Sequence, residues 1–176
     1  LRMLWISRAY GKLWIRGAVQ IGWKVLYELG VIHEAHLEDP AARERQLRTA
    51  RAFLKRNRPR ALYRRIIGTP PTREPRSELA VTTCAMMLVS VLTIDPQRIA
   101  VLAAIILREG LTHGPSPHTG NGFLLWSLLV SQQDGPVRLR YNLGMYARRT
   151  LEASPPEDGR GTARHTIDAY SAVFAI

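Results

Sequence analysis

The sequence predicts an all-α fold of six or seven helices, in which a buried apolar helical hairpin carries a basic helical N-terminal third. Three observations point there. Long apolar runs (79–94, 99–107 and 123–130) are bounded by helix start and stop residues. A polar stripe recurs every four residues near the N-terminus. Only Val137–Tyr141 alternates like a strand, and one lone strand has nothing obvious to pair with. A hydrophobic fraction of 46% and four Trp argue against intrinsic disorder.

The elements follow in order. Over residues 3–29, Arg8, Lys12, Arg16, Gln20, Lys24 and Glu28 form a slowly drifting polar stripe. Leu4, Trp5, Leu13, Trp14, Val19, Trp23, Leu26 and Tyr27 lie largely off it, as in an amphipathic helix. Gly30 suits the position that ends such a helix. Asp39-Pro40 is a side-chain cap followed by proline at the first helical position. The helix it opens is expected to run to about Arg58 and stop at Pro59.

Residues 68–77 (GTPPTREPRS) read as a linker, after which Ser77 is expected to cap a helix over 78–93. Asp95-Pro96 restarts a helix to about Leu107 that ends at Gly110. The uncharged windows of this hairpin, 16 residues (79–94) and nine residues (99–107), fall short of the ~18 that read as membrane-spanning. Residues 110–122 are expected to form a Pro/Gly loop, Phe123 to about Gln133 another apolar helix, and Tyr141–Ala153 a further one.

The resulting organisation is a basic N-terminal helical region (1–67), a Pro-rich linker (68–77), a helical core (78–153), a second linker (154–161) and a C-terminal docking helix (162–176). The last has an apolar end, Tyr170, Val173, Phe174 and Ile176, that needs a surface to dock on. The chain opens on Leu1, as expected of a processed chain or a fragment of a longer one.

Charge supplies the functional expectation. The net charge is +11, and Arg outnumbers Lys 22 to 3. A GC-rich codon preference accounts for Arg over Lys as well as phosphate recognition does, but it does not explain clustering. Residues 43–65 hold ten bases and the single acid Glu44, whereas from residue 66 onward ten bases meet nine acids. A basic cluster of this density calls for a polyanion.

The leading expectation is a non-enzymatic RNA-binding structural protein of a ribonucleoprotein or nucleocapsid-like assembly. Arg45, Arg48, Arg51, Lys55, Arg56, Arg58, Arg60, Arg64 and Arg65 would contact phosphates, and Tyr63 would stack on an unpaired base. Other protein subunits are expected partners, and no small-molecule substrate or cofactor is evident. The alternative is a structural subunit of a membrane-associated complex, mitochondrial or matrix-like. There Trp5, Trp14 and Trp23 of the basic amphipathic helix would meet an anionic membrane surface or a partner. The acid-free N-terminus also has the charge of a mitochondrial presequence, though three Trp and one Ser fit that poorly.

Other residues carry less. His33-Glu34-Ala35-His36 places its two imidazoles at i and i+3, whereas the zincin helix needs i and i+4. His113 and His118 flank a Pro/Gly turn with nothing beyond residue type to suggest a metal, and no metal site is expected. Gly120-Asn121-Gly122 lacks the Gly-Lys-Ser/Thr of a phosphate loop. The single cysteine, Cys84, excludes an internal disulfide framework, suits a reducing compartment or the mitochondrial matrix better than secretion, and sits in the most apolar run. No catalytic constellation is legible.

Overall fold

The computed structural model describes residues 2–33 and 39–153, with side chains from Trp14 onward. Among these the chain forms seven α-helices and no strand. They are α1 (Arg2–Glu28), α2 (Pro40–Arg56), α3 (Pro59–Ile67), α4 (Pro75–Ile94), α5 (Ile99–His113), α6 (Gly120–Gln132) and α7 (Val137–Ala153), with a 3-10 turn at Pro96–Arg98 between α4 and α5.

Helix α5 is the centre. Every residue from Ile99 to Leu107 is buried, so the helix has no polar face in this stretch and must be enclosed. Helices α2, α4 and α6 pack directly on it and α3 touches it. Helix α1 lies on α4, and α7 lies on α6 and reaches α3. The N-terminal region is thus part of the same packed body as the core, and the expected buried hairpin is the α4–α5 pair.

The local signals explain most boundaries. After α1, Gly30 adopts φ 64°, Val31 N donates to Leu26 O (3.0 Å) and Gly30 N donates to Tyr27 O (2.8 Å). These two bonds are the Schellman pair that glycine permits. At the start of α2 the Asp39 carboxylate accepts from Ala41 N (3.0 Å) and Ala42 N (3.3 Å), a cap contributing about 1 kcal/mol.

Other boundaries differ from expectation, mostly because proline opens helices here as well as closing them. Helix α2 ends at Arg56; Arg58 is extended (φ −76°, ψ 124°), as a residue before proline must be, and Pro59 begins α3. Pro75 likewise begins α4, so Ser77 is a buried residue of its first turn and not its cap. Helix α5 runs through Gly110 to His113, and the loop shrinks to residues 114–119. At Gly110 the Thr119 methyl sits 2.7 Å from where a Cβ would be, so the glycine admits the loop against the helix.

Val137–Tyr141 is the first part of α7, not a strand: its amide bonds start at Pro136 O, and Leu143, Ala147 and Leu151 bury at helical spacing. Residues 154–161 and 162–176, expected as linker and docking helix, lie outside the described residues.

Helix α4 has two faces of similar polarity and unequal cover. It buries Ala80, Val81, Cys84, Met87, Leu88 and Val91, yet leaves Leu79, Met86 and Val89 exposed. At 20 residues, with an 18-residue window of mean hydropathy 1.7, it is long and apolar enough to cross a membrane by length and composition alone, and 44% of that window is buried. The uncharged window 79–94 stops at Glu78 and Asp95, whereas the helix itself starts at Pro75 and so takes in Arg76 and Glu78, charges that a helix terminus tolerates.

The segment 68–74 is not a free tether. Thr72 N donates to Pro115 O (3.0 Å), which clamps it to the loop after α5. Gly114, at φ 95°, makes this contact possible: a Cβ there would stand 1.9 Å from Pro70 O. Gly114→Ala should therefore lose about 2–4 kcal/mol, from backbone strain plus displacement of main chain. A urea unfolding midpoint indistinguishable from that of the parent chain would show that the two loops are not clamped.

Candidate nucleic-acid interface

The bases of the described chain divide into arginines that build the fold and a set that faces water. The building set was missed in the sequence and lies at the α4–α5 corner. Arg98 is buried, its Nε is 3.3 Å from Asp95 Oδ2, and its guanidinium carbon is 5.1 Å from the centre of the Trp23 ring. Arg43 of α2 reaches the same carboxylate, with Nη2 2.6 Å from Oδ1. Burial pulls the Arg98 guanidinium below the ordinary arginine value, Asp95 opposes that shift, and Arg43 adds to it. Asp95 is thus the shared counter-charge joining α1, α2 and the α4–α5 corner. The one available signal, Asp95 three residues before Arg98, reads equally well as a helix start.

Two further arginines tie loops to helices. Arg76 Nε donates to Leu29 O (2.6 Å) and Arg108 Nη2 to Val31 O (2.7 Å), together holding the turn after α1.

The water-facing set lies on α2 and α3. Helix α2 turns Ala42, Leu47, Ala50 and Leu54 inward. The opposite side then carries Arg48, Arg51 and Lys55, exposed and spaced i, i+3, i+7. Arg45 and Arg56 flank this stripe, and Arg45 also stands 3.8 Å from Asp39. The chain turns at Arg58, and α3 buries Leu62 and Ile66 while exposing Arg60, Arg64 and Arg65. No ion pair among the described residues involves Arg48, Arg51, Lys55, Arg56, Arg58, Arg60, Arg64 or Arg65. Lys55 and Arg56, and Arg64 and Arg65, occupy the last turns of their helices, where positive charge also complements the helix dipole.

Tyr63 is used differently from the expectation. Its ring stacks on Tyr146 (4.7 Å, 16°) and makes an edge-to-face contact with Phe123 (6.1 Å, 70°), so it helps join α3 to α7 and α6. A base would compete with Tyr146 for the stacked face. The tryptophans separate as well. Trp14 is 80% exposed, Trp23 is 1% exposed inside the core, and the Trp5 side chain lies outside the described residues. Trp23 is therefore no surface for lipid or a partner.

The histidines do not assemble. His33 is exposed, and His36 lies outside the described residues. His113 Nδ1 pairs with the Glu74 carboxylate and its Nε2 is 3.7 Å from Glu109, which fastens segment 68–74 to α5. Burial holds the His118 imidazole below its ordinary value, with Glu78 opposing. No group of three potential metal ligands occurs among the described residues. Gly120-Asn121-Gly122 is buried in the first turn of α6. Cys84 is fully buried; burial pushes its thiol well up and Glu109 adds to the shift, the opposite of what a nucleophile requires.

A pocket of about 520 Å³ between α2 and α5 was not legible in the sequence, because its walls come from three separate segments.

Asp95→Ala should cost about 2–4 kcal/mol, because it removes the carboxylate beside the buried Arg98 charge. Arg43→Ala should cost only about 0.5–1 kcal/mol, since that arginine is half exposed. Chemical denaturation of both variants checks the order, and equal losses would mean that Arg98 does not depend on Asp95.

Comparison of the chain with protein-family models, curated proteins and solved structures finds no match.

Proposed function

We propose that this chain is a non-enzymatic RNA-binding structural protein that holds phosphates on the α2–α3 surface, as in a ribonucleoprotein or nucleocapsid-like assembly. One observation carries the reading: eight exposed bases from Arg48 to Arg65 lie on two consecutive helices and the turn between them, with no carboxylate drawn to them among the described residues. Such a surface releases counterions when phosphates replace them, and guanidinium planes can also lie on unpaired bases. With Tyr63 occupied inside the fold, the contact is mainly to phosphate and so tolerant of sequence.

A second reading is favoured by a different observation. The packed pair α1–α4 leaves Trp14, Ile21, Leu79, Met86 and Val89 exposed, and Arg16 and Lys24 of α1 are exposed as well. Exposed tryptophan and aliphatic side chains beside cations suit the interface of an anionic bilayer.

One experiment separates the two. A fluorescent single-stranded RNA and phosphatidylserine vesicles are titrated with the chain at several salt concentrations. RNA binding is expected to fall log-linearly with salt, with a slope of about −3 to −5 for five to seven phosphates. Arg48→Glu, Arg51→Glu and Arg64→Glu together should weaken RNA binding at least tenfold and leave the unfolding midpoint in place. Unchanged RNA affinity in that triple variant would overturn the first reading. Vesicle binding that resists salt and is lost on Trp14→Ala with Met86→Ser would support the second.

A further inference from the structure

The pocket between α2 and α5 has the two chemical halves of an amphiphile's site. Its inner walls are largely apolar, formed by Val31, Ile32, Val101, Ala104 and Ile105 with the Phe53 ring, and His33 also lines it. Its polar part carries three guanidinium groups, Arg45, Arg56 and Arg108; no carboxylate residue among the described residues lines the pocket itself, although Asp39 stands 3.8 Å from Arg45 and Glu109 3.9 Å from Arg108 outside it. At about 520 Å³ it has the volume of a small-molecule site and is too small for a folded partner's element.

Two details sharpen the chemistry. Arg108 is held in place by its bond to Val31 O (2.7 Å), so one cation is preorganised at the wall. The buried Oε1 of Gln46, which also lines the pocket, has no hydrogen-bond partner among the described residues. With the amide turned about its last torsion, its Nε2 would donate to an anionic oxygen of a ligand head at this position.

We propose that this pocket binds a small amphipathic anion: one short apolar chain seated against the aliphatic walls, with a carboxylate or phosphate head on the arginines. The site stands independently of the RNA reading, although Arg45 and Arg56 belong to both surfaces.

The test is isothermal titration of the full chain with decanoate and with decyl phosphate, each below its micelle concentration. At least one is expected to bind saturably at one per chain, and the pair of titrations tells a carboxylate ligand from a phosphate one. Shortening the chain from decyl to octyl should weaken binding by roughly fifteenfold, at about fourfold for each of two methylenes. Decylammonium and inorganic phosphate should bind at least tenfold more weakly than the better ligand, because each supplies only one half of the chemistry. Thr49→Trp, at an exposed position of α2 that lines the pocket, should reduce binding at least tenfold. Arg56→Glu, likewise exposed, should weaken binding severalfold and provides a second variant that leaves the core untouched. No saturable binding of either anion would overturn the proposal. So would equal binding of decylammonium or of inorganic phosphate, or full binding by folded Thr49→Trp and Arg56→Glu proteins.

Discussion

A helix with no polar side can persist in water only if other elements enclose it, and α5 is such a helix from Ile99 to Leu107. The arrangement of the chain follows from that need. Helices α2, α4 and α6 cover α5 directly, while α1 and α7 form an outer layer on α4 and α6. The covering helices differ in what they then show to solvent. Helix α2 is one-sided, with four apolar residues inward and a charged stripe outward. Helix α4 is apolar on both sides and only partly roofed by α1. One enclosure thus yields a cationic surface on α2 and an apolar surface on α4, the two features from which both functional readings are drawn.

The corner between α4 and α5 shows how such a core admits charge. Arg98 would be costly to bury alone, since an unpaired buried ion forfeits its hydration. It is accommodated because Asp95 lies three residues earlier, Arg43 supports that carboxylate from α2, and the Trp23 ring offers its face. The electrostatics therefore specify docking: α1 contributes the ring, α2 the second cation, and the chain reversal the anion. Swapping Arg98 for an apolar residue would keep the burial and lose this mutual registration.

How much of this could be read in advance depended on whether the controlling contact is local. Gly30 and Asp39-Pro40 act on amides within three or four residues, so their roles were legible. Pro59 reads as a breaker and Pro75 as part of a linker, although the fixed φ of proline also suits the first position of a helix. Val137–Tyr141 alternates over five residues, too short a stretch to outweigh the helical spacing of Leu143, Ala147 and Leu151 beyond it.

The tryptophans did contain a usable signal. Trp14 and Trp23 are nine residues apart, about two and a half helical turns, so they must project to opposite sides of α1. One is exposed and the other buried accordingly. Tyr63 gave no such warning, because its partners Tyr146 and Phe123 are distant in the chain. The basic stretch was legible as composition; its division into water-facing bases and the fold-building Arg43 was not, because Asp95 reaches Arg43 only through the packing of α2 on α5.

The shared arginines have a thermodynamic consequence. Arg45 and Arg56 line the α2–α5 pocket and also flank the stripe of Arg48, Arg51 and Lys55. A cation that is neutralised by an anion in the pocket is no longer free to release counterions to a phosphate chain. Occupancy of the pocket would therefore remove up to two contacts from the polyanion surface, lowering the salt slope for single-stranded RNA by about 0.7 per contact. Linkage makes the effect reciprocal: RNA on α2 and α3 would weaken the small anion by the same factor. Arg108 is not among the bases of that outer surface and would still hold the head group, so the two ligands oppose each other without excluding each other. Such antagonism requires no conformational change, only two anionic ligands drawing on the same guanidinium groups.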